Sequence, residues 1–223
     1  SADGSGQSIE SASNEVEDNG QSSAGNPLIS GNPINGAISD GDDVDWYVFY
    51  ASDAGALNIQ FDVETIERYG WLAALYDLDS DGNTRRLARL WCGDAACEES
   101  GAQFTAGIQR AGNVYLVVQN AYVEGLPLDA GYQITPTFTP GENAVEQEDN
   151  GSSSVADTAK AIEFNQEIAG NVYNGDADFF KLALPDAGEL SLVLTSIAGS
   201  DSGGPSISLY DCDPASYDCS PIK

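Results

Sequence analysis

Two short acidic clusters lie along the chain, and each of them occurs twice in the same order. The first reads Glu-Val-Glu-Asp-Asn at 15–19 and returns as Glu-Gln-Glu-Asp-Asn at 146–150; the second reads Asp-Val-Asp at 43–45 and returns as Asp-Ala-Asp at 176–178. Calcium takes about six to eight oxygen ligands from carboxylates, amide carbonyls and backbone carbonyls. One loop supplies too few, so two loops would have to meet. The alternative is solvated surface charge, but general acidity would not keep residue type and spacing in both copies.

A third acidic run, at 77–83, begins like an EF-hand loop. The twelfth position counted from Asp77 is Ala88, where an EF-hand carries a bidentate glutamate. We therefore interpret this run as a hairpin turn.

The residues on which most enzymes depend are missing from the sequence. It has no histidine for a catalytic triad or a proton shuttle, no lone activated cysteine and no glycine-rich phosphate loop. Paired carboxylates hydrolyse glycosides in other proteins, but the recurring carboxylates here lie at calcium-like positions. We therefore expect that the chain is not an enzyme.

The cysteines fall into two local pairs, Cys92 with Cys97 and Cys212 with Cys219. Zinc is not expected, because the sequence has no histidine and no Cys-x-x-Cys motif. Two short-loop disulfides formed in an oxidising compartment are the simpler interpretation, and four buried thiols are the alternative.

The charge balance is strongly acidic, with 36 acidic and 8 basic residues and a net charge of −28. Such a surface repels nucleic acid and anionic lipid, so we expect neither as a partner. No apolar run approaches the ~20 residues that a membrane-spanning helix needs. Repulsion within the folded chain would be relieved by cations, in agreement with a calcium requirement.

The duplication extends beyond the acidic clusters. Asp-Ala-Gly at 53–55 returns at 186–188 and Leu-Tyr-Asp at 75–77 returns at 209–211, so the offset drifts only from 131 to 134 residues. The sequence therefore predicts a tandem: a flexible N-terminal segment over 1–13, a first unit over 14–141 and a second unit over 142–223.

Apolar and polar residues alternate with a period of two in both units. Such runs occupy 57–63, 114–118, 132–138 and 190–194. This alternation is typical of half-buried antiparallel strands, and frequent glycine, asparagine and aspartate mark the turns between them. We predict an all-β fold of two tandem antiparallel β-sandwiches.

Comparison of the copies indicates which face of the strand after Asp-x-Asp points inward. Lys181 stands where the first unit has Val48, so that face is expected to point outward. The opposite face is expected in the core, and it carries Tyr47, Phe49, Phe180 and Leu182. Trp71 shares the phase of apolar neighbours and is also expected to be buried.

The motifs follow one another in a recognisable order: Glu-x-Glu-x-Asn-(Gly/Asn)-Ser-x-x-x-Ala, an apolar run to Gly-x-Ile, Asp-x-Asp-aromatic-aromatic, and a strand that begins with glycine. In this order they resemble the bacterial pre-peptidase C-terminal domain, to which the collagen-binding domains of clostridial collagenases are related. The resemblance covers 14–140 and the front of the second unit. It implies a jelly-roll-like β-sandwich in secreted proteins, usually appended to proteases or other hydrolases.

The resemblance also implies a set of calcium ligands, because the calcium-binding members use the Glu-x-Glu-x-Asn segment and the Asp-x-Asp turn. In the first unit these are Glu15, Glu17, Asn19, Asp43 and Asp45, with Asp40 or Asp42 assisting. In the second unit they are Glu146, Glu148, Asn150, Asp176 and Asp178.

The second unit contains fewer strand-like segments than the first and is expected to lack its final strands. After Cys97 the first unit continues through segments at 103–109, 113–120 and 130–138, whereas only 220–223 follow Cys219. Three explanations are open: the sequence is a piece of a longer protein, the missing strands come from a neighbouring subunit, or the second unit is a smaller sandwich.

These observations predict a non-catalytic, calcium-stabilised module for attachment or presentation of a larger protein, located outside the cell, either secreted or at the cell surface. The expected partners are calcium and either an extracellular polymer, such as a glycan or a collagen-like chain, or neighbouring subunits of the same protein. The alternative is a structural subunit of an extracellular filament or adhesin stalk, assembled by strand complementation between subunits.

Overall fold

The computed structural model describes residues 13–63, 70–78, 82, 84–92, 101–121, 130–141, 144–146, 159–170, 177–195, 206–212 and 219–222. These residues form β-strands and one short 3₁₀ turn at Ser22–Ala24. Within these ranges no helix is both long enough and apolar enough to span a membrane. The predicted N-terminal segment over 1–13 lies outside the described residues, apart from Ser13, which begins the first strand.

The strands fall into two groups along the chain. The first group is β1 (Ser13–Asn14), β2 (Asn26–Leu28), β3 (Ile34–Ile38), β4 (Val44–Ala51), β5 (Gly55–Val63), β6 (Trp71–Leu78), β7 (Thr84–Cys92), β8 (Ala102–Ile108), β9 (Gly112–Asn120) and β10 (Ala130–Pro140). The second group is β11 (Lys160–Ile162), β12 (Phe180–Leu182), β13 (Tyr210–Cys212) and β14 (Cys219–Pro221). Among the described residues, strands longer than three residues occur in the first group alone.

The first group forms two five-stranded sheets that pack face to face. Sheet I has the order β1-β3-β10-β5-β8, and sheet II has the order β2-β4-β9-β6-β7. β1 pairs in parallel with β3, and β2 pairs in parallel with β4; the other pairings in the two sheets are antiparallel. Buried side chains from both sheets form one core. The all-β sandwich that the period-two alternation predicts is confirmed.

The alternation along the strands decides which side chains enter this core. In β4, Tyr47 and Phe49 are buried and Tyr50 is exposed, as comparison of the two copies predicts. Trp71 in β6 is 1% exposed, and its ring centroid lies 5.8 Å from that of Phe61 in β5 and 5.3 Å from that of Tyr132 in β10. These aromatic contacts join sheet II to sheet I, and large buried rings contribute much of the stability of such a core.

β6 and β7 form an antiparallel hairpin that an ion pair ties together. Arg85 donates from Nε to Oδ1 of Asp77 at 2.8 Å and from Nη2 to Oδ2 at 2.5 Å. Asp77 therefore takes part in a bidentate ion pair with the opposite strand, which agrees with the hairpin interpretation of 77–83. The neighbouring Asp79 and Asp81 lie outside the described residues.

Both predicted disulfides stay predictions, but the backbone register of the second pair is compatible with one of them. The β13–β14 ladder sets Cys212 directly opposite Cys219. The pairing of Cys92 with Cys97 stays a prediction, because Cys97 lies outside the described residues.

The second group of strands forms only short pairs within the described ranges. β11 pairs in parallel with β12, β13 pairs with β14, and Val145 forms an isolated parallel bridge with Ala169. The predicted strand at 190–194 is absent, since no described strand lies beside it to share hydrogen bonds. The prediction that Phe180 is a core residue was also wrong: its side chain is 40% exposed, and no sheet among the described residues covers β12.

Gly36 in β3 allows a close approach between the sheets. A Cβ at this position would overlap the Tyr132 ring and hydroxyl and would lie 2.6 Å from the Tyr47 hydroxyl. Gly36→Ala should therefore lower the free energy of unfolding by about 1–3 kcal/mol, the usual cost of overpacking. Urea denaturation measures this change.

Gly20→Ala is the matched control, because a Cβ there would meet only the Val44 carbonyl oxygen at 3.7 Å, an ordinary contact. Its expected effect is neutral, or stabilising by up to about 1 kcal/mol, through reduced freedom of the unfolded chain. Equal urea midpoints for the two variants would show that β3 does not need a glycine.

Candidate metal site

The two acidic clusters of the first unit lie side by side because of the backbone path near its N-terminus. After β1 the pairing with β3 continues through a hydrogen bond from Glu15 N to Asn35 O at 2.9 Å. Further along, Asn19 O accepts a hydrogen bond from Trp46 N at 3.1 Å, which ties the same segment to β4. The chain thus crosses from sheet I to sheet II, and this crossing sets the first cluster against the second.

Three of the predicted ligands converge at this crossing. Glu17, Asp43 and Asp45 each offer a carboxylate oxygen, and these oxygens lie within 4.8 Å of one another. Asp45 is buried, Asp43 is half-buried and Glu17 is exposed. The group therefore leads from solvent into the edge of the core, which would let an ion enter.

Asp45 has a buried oxygen without a hydrogen-bond partner among the described residues. Its side chain is 0% exposed. Oδ2 accepts a hydrogen bond from the Tyr132 hydroxyl at 2.5 Å, whereas Oδ1 accepts none. Leaving such an atom unsatisfied costs about 1–3 kcal/mol or more for a charged group. A cation between the three carboxylates would satisfy it, so the residues fit a divalent ion that prefers oxygen ligands.

Glu15 is held beside the converging group by several donors. Its Oε1 accepts a hydrogen bond from Ala37 N at 2.6 Å, and its Oε2 accepts one from the Tyr47 hydroxyl at 2.6 Å and one from Asn19 Nδ2 at 3.1 Å. Asn19 is itself buried. The converging group does not include Glu15, so the ligand roles of Glu15 and Asn19 stay predictions.

The turn before β4 is organised by its own aspartates. Asp43 Oδ2 accepts a hydrogen bond from Ser39 N at 2.6 Å, and Asp40 Oδ1 accepts one from Asp42 N at 2.9 Å. Asp40 and Asp42 are exposed, and neither belongs to the converging group. An assisting role for either residue therefore stays a prediction.

Two tyrosines complete the site, and the sequence analysis assigned neither of them to it. The hydroxyls of Tyr47 and Tyr132 lie 2.7 Å apart, and they connect Glu15 to Asp45. Tyr47 follows Asp45 by two positions and shares its inward phase, which could have suggested a contact. Tyr132 comes from β10, far along the chain, and no local pattern links it to the clusters.

The hydrogen bonds through the tyrosines need one proton more than the hydroxyls supply. The contacts from Asp45 to Tyr132, from Tyr132 to Tyr47 and from Tyr47 to Glu15 measure 2.5, 2.7 and 2.6 Å. Two hydroxyls provide two protons for these three contacts, and burial raises the pKa of both tyrosines, so neither is deprotonated. A proton on Asp45 would supply the third, and Asp45 would then donate to the Tyr132 hydroxyl, in place of accepting from it as the ionised carboxylate does.

The electrostatics of the site favour this protonation when no cation is bound. Burial, together with the nearby Glu15, Asp43 and Glu17 carboxylates, raises the pKa of Asp45 to about 7, although the hydrogen bond from Tyr132 acts in the opposite direction. Partial burial, followed by the nearby Glu15, Asp43 and Asp18 carboxylates, also raises the pKa of Glu17. The site therefore gathers more negative charge than its surroundings stabilise, and it attracts either protons or a cation.

The second pair of clusters is only partly described. Glu146 is 3% exposed, and its N donates to Ala169 O at 2.9 Å, as Glu15 N does to Asn35 O in the first unit. Asp178 is half-buried. The other predicted ligands of this unit, Glu148, Asn150 and Asp176, lie outside the described residues.

One side chain near the second cluster differs in charge from its counterpart in the first unit. Asn26 accepts a hydrogen bond from Val16 N at 2.9 Å and donates one to Val16 O at 3.1 Å. Lys160 holds the equivalent place, because β11 pairs with β12 as β2 pairs with β4, and its Nζ donates to Val145 O. The second acidic cluster therefore has an ammonium group beside it.

Comparison with known proteins finds likenesses among solved structures alone. No protein-family model matches the chain, and no curated protein matches it. The pre-peptidase C-terminal domain of a collagenase from Bacillus anthracis matches at 23% identity with a TM-score of 0.37, covering 51% of this chain and 94% of that one. CorA, a surface-associated copper-binding protein important in copper acquisition by Methylomicrobium album BG8, matches at 7% identity with a TM-score of 0.37, covering 52% of this chain and 98% of that one.

Tyr132→Phe removes the hydroxyl that links Asp45 to Tyr47 and leaves a second Asp45 oxygen without its donor. We expect the free energy of unfolding to fall by about 1–3 kcal/mol, measured by urea denaturation. Tyr50→Phe is the matched control, because Tyr50 is 66% exposed and its change should be close to zero. Equal losses for the two variants would contradict the network.

The stability of the calcium-free protein should depend on pH through Asp45. The pKa of Asp45 is raised in the folded state from 3.8 to about 7. The stabilisation that this carboxyl contributes to the folded state is therefore fully present below about pH 4 and is lost as pH rises through about 7. Urea midpoints in chelator, measured from pH 4.5 to 8, should fall more steeply for the natural chain than for Asp45→Asn, which does not titrate. Parallel curves would rule out Asp45 as the titrating group.

Proposed function

We propose that residues 14–141 form a calcium-stabilised, non-catalytic extracellular module that serves attachment or presentation of a larger secreted protein. The observation that carries this proposal is the fully buried Asp45 carboxyl, which converges with two further carboxylates and whose Oδ1 has no hydrogen-bond partner among the described residues. Such an arrangement is costly without a cation and favourable with one.

The donor set supports calcium over other metals. The converging atoms are all carboxylate oxygens, from Glu17, Asp43 and Asp45. Copper and zinc sites generally draw on imidazole or thiolate ligands, and the sequence has no histidine. Calcium also tolerates irregular geometry and shared hydrogen-bonded carboxylates more readily than magnesium does.

Calcium binding would act on the path of the chain. Glu17 lies in the segment that enters the module, whereas Asp43 and Asp45 lie at the start of β4. A cation between them would fasten the entering segment to sheet II, in addition to the backbone bond from Trp46 N to Asn19 O. The direction in which the preceding polypeptide leaves the module would then be fixed, which suits the presentation of a neighbouring domain.

The calcium site and the predicted disulfides both support a location outside the cell. Calcium is abundant there, and modules with weak sites are loaded at about millimolar concentrations. The two predicted disulfides require an oxidising compartment. The lack of histidine and of a phosphate-binding loop in the sequence supports a binding or structural role in place of catalysis.

The outward face of sheet II is a suitable surface for attachment to an extracellular polymer. Trp46 and Tyr115 lie on adjacent strands with ring centroids 6.3 Å apart, and Tyr50 on β4 is 66% exposed. The Trp46 and Tyr115 rings meet edge to face at 70°, so the exposed Tyr50 ring is the one that offers a face to a sugar ring or a proline-rich chain. A glycan or a collagen-like chain is therefore the proposed partner.

Thermal unfolding with and without calcium tests the proposal. Calcium at about a hundredfold excess over its dissociation constant should stabilise the module by about 2.7 kcal/mol, and Asp45→Asn should remove most of that gain. Isothermal titration should show binding that weakens as pH falls below about 7, since protons compete at Asp45. Retention on insoluble collagen or polysaccharide, in calcium and in chelator, tests attachment.

Glu163→Gln is the matched control, because it removes one exposed carboxylate outside the converging group and changes the net charge equally. It should keep the full calcium response. If Asp45→Asn responds to calcium as strongly as Glu163→Gln does, the cation binds elsewhere and the proposed site is wrong.

A further inference from the structure

The outward face of sheet II carries no carboxylate on its four long strands, although the chain has 36 acidic residues. The residues that point away from the core are the alternate ones within 44–50, 113–119, 72–78 and 84–91, and the strand register sets them opposite one another. Asp45 and Asp77 lie on the same strands, but they have the phase of the core residues and are buried. A face kept only for solubility would have its share of the acidic residues, so this one is suited to a partner.

One row of side chains across this face ends in an arginine. Trp46 on β4 stands opposite Val117 on β9. Val117 in turn stands opposite Ala74 on β6, and Ala74 stands opposite Arg89 on β7. Arg89 is half-buried, and its Nε has no hydrogen-bond partner among the described residues. The row therefore places an aromatic ring and a guanidinium on either side of a small apolar centre.

The neighbouring row has the same order. Val48 on β4 stands opposite Tyr115 on β9. Tyr115 stands opposite Tyr76 on β6, and Tyr76 stands opposite Arg86 on β7. The third arginine of β7, Arg85, is used by the ion pair that ties the hairpin together. Two guanidinium groups thus lie along the β7 edge of the face, and aromatic rings lie over the rest.

We propose that the outward face of sheet II binds a polysaccharide in which some of the sugars carry a carboxylate. Arg86 and Arg89 would receive the carboxylates, because a guanidinium fork matches the two oxygens of a carboxylate. The aromatic rings would contact the sugar rings. Three strand spacings separate β4 from β7, about 14 Å, which gives room for several sugars. This choice of ligand depends on the attachment role proposed above but not on calcium binding.

The construction of the face favours a sugar chain over an acidic peptide. Extended peptides commonly bind a sheet by adding a strand to its edge through backbone hydrogen bonds. The backbones of β9 and β6 are already paired on both sides, so the middle of this face offers side chains alone. Flat rings and guanidinium groups suit sugar rings and their carboxylates. A neutral collagen-like chain would leave the two arginines without a role.

The acidity of the whole chain restricts the ligand to a sparsely charged polymer. At physiological ionic strength, charges more than about 8 Å apart are largely screened, so the arginines act on a carboxylate directly beside them. Nucleic acid carries a phosphate at every nucleotide, and it would extend past the face onto the acidic surface. A glycan with one carboxylate in each disaccharide would meet less repulsion there.

Titration with a hyaluronan oligosaccharide provides the test, because its repeat has one carboxylate in two sugars. The comparison ligand is the same oligosaccharide with its carboxyl groups reduced to alcohols. In isothermal titration with calcium present, the full chain should bind the first ligand at least about tenfold more tightly than the second. Added salt should weaken the binding of the first ligand more than that of the second.

Arg89→Gln should weaken the binding of the carboxylated ligand by about tenfold or more and leave that of the reduced ligand unchanged. Arg89→Lys keeps the charge but loses the fork, so its affinity should lie between the two. Tyr50→Ala removes an exposed ring and should weaken both ligands alike. Lys181→Gln is the matched control, because it removes one exposed positive charge in β12, outside sheet II, and it should bind as the natural chain does. Urea midpoints identify any variant whose folding is impaired.

Equal affinity for the two oligosaccharides would overturn the proposed ligand and leave the attachment role intact. The same holds if Arg89→Gln, with an unchanged urea midpoint, binds as Lys181→Gln does. If Arg89→Gln unfolds more easily, the comparison passes to Arg89→Lys, and full affinity of that variant overturns the role of the fork. Retention on collagen without affinity for either oligosaccharide would assign attachment to a protein polymer. Failure to bind any of these polymers would overturn the attachment role as well, whereas the calcium response of Asp45→Asn is measured independently of all of them.

Discussion

The architecture of the first unit depends on how the buried carboxyl of Asp45 is compensated. This carboxyl lies where β4 begins, within reach of the N-terminal segment, β10 and, through two tyrosine hydroxyls, the glutamate that follows β1. A charge in that position cannot be left without compensation. The Tyr132 hydroxyl from sheet I donates to one oxygen, and the other oxygen would be satisfied by a cation. The glycine in β3, the close approach of the sheets and the crossing of the entering segment all serve this one group.

Much of this fold follows from local patterns in the sequence. Period-two alternation at 57–63, 114–118 and 132–138 marks strands that the structure contains, and the duplicated clusters point to the loops that converge. The tyrosine network could not be derived in the same way. Tyr47 and Tyr132 are 85 residues apart in sequence, and they meet because sheet II, which contains β4, packs against sheet I, which contains β10. Polar roles of inward-facing aromatic residues depend on tertiary contacts that alternation does not encode.

The failures of the sequence analysis share one physical cause. The run at 190–194 has the alternation of a strand, and Phe180 has the phase of a core residue, yet within the described ranges the first forms no strand and the second is exposed. A strand exists only where a neighbour accepts its hydrogen bonds, and a core face is buried only where a second sheet covers it. Alternation correctly marked these residues as candidates for a strand and for a core position. Whether they pair and become buried depends on neighbouring strands and on a covering sheet.

The pairings at the edge of sheet I also determine where the first unit begins and ends in space. β1 runs parallel to β3 and starts at the level of Ile34, while β10 runs the opposite way, passes the same level at Ile134 and continues to Pro140. The polypeptide therefore enters and leaves the unit at one end of the sheet. A domain with neighbouring termini can interrupt a loop of another protein without forcing that loop apart. The chain on either side of the first unit therefore extends from the same end of sheet I, so a tether at that end would hold both connections.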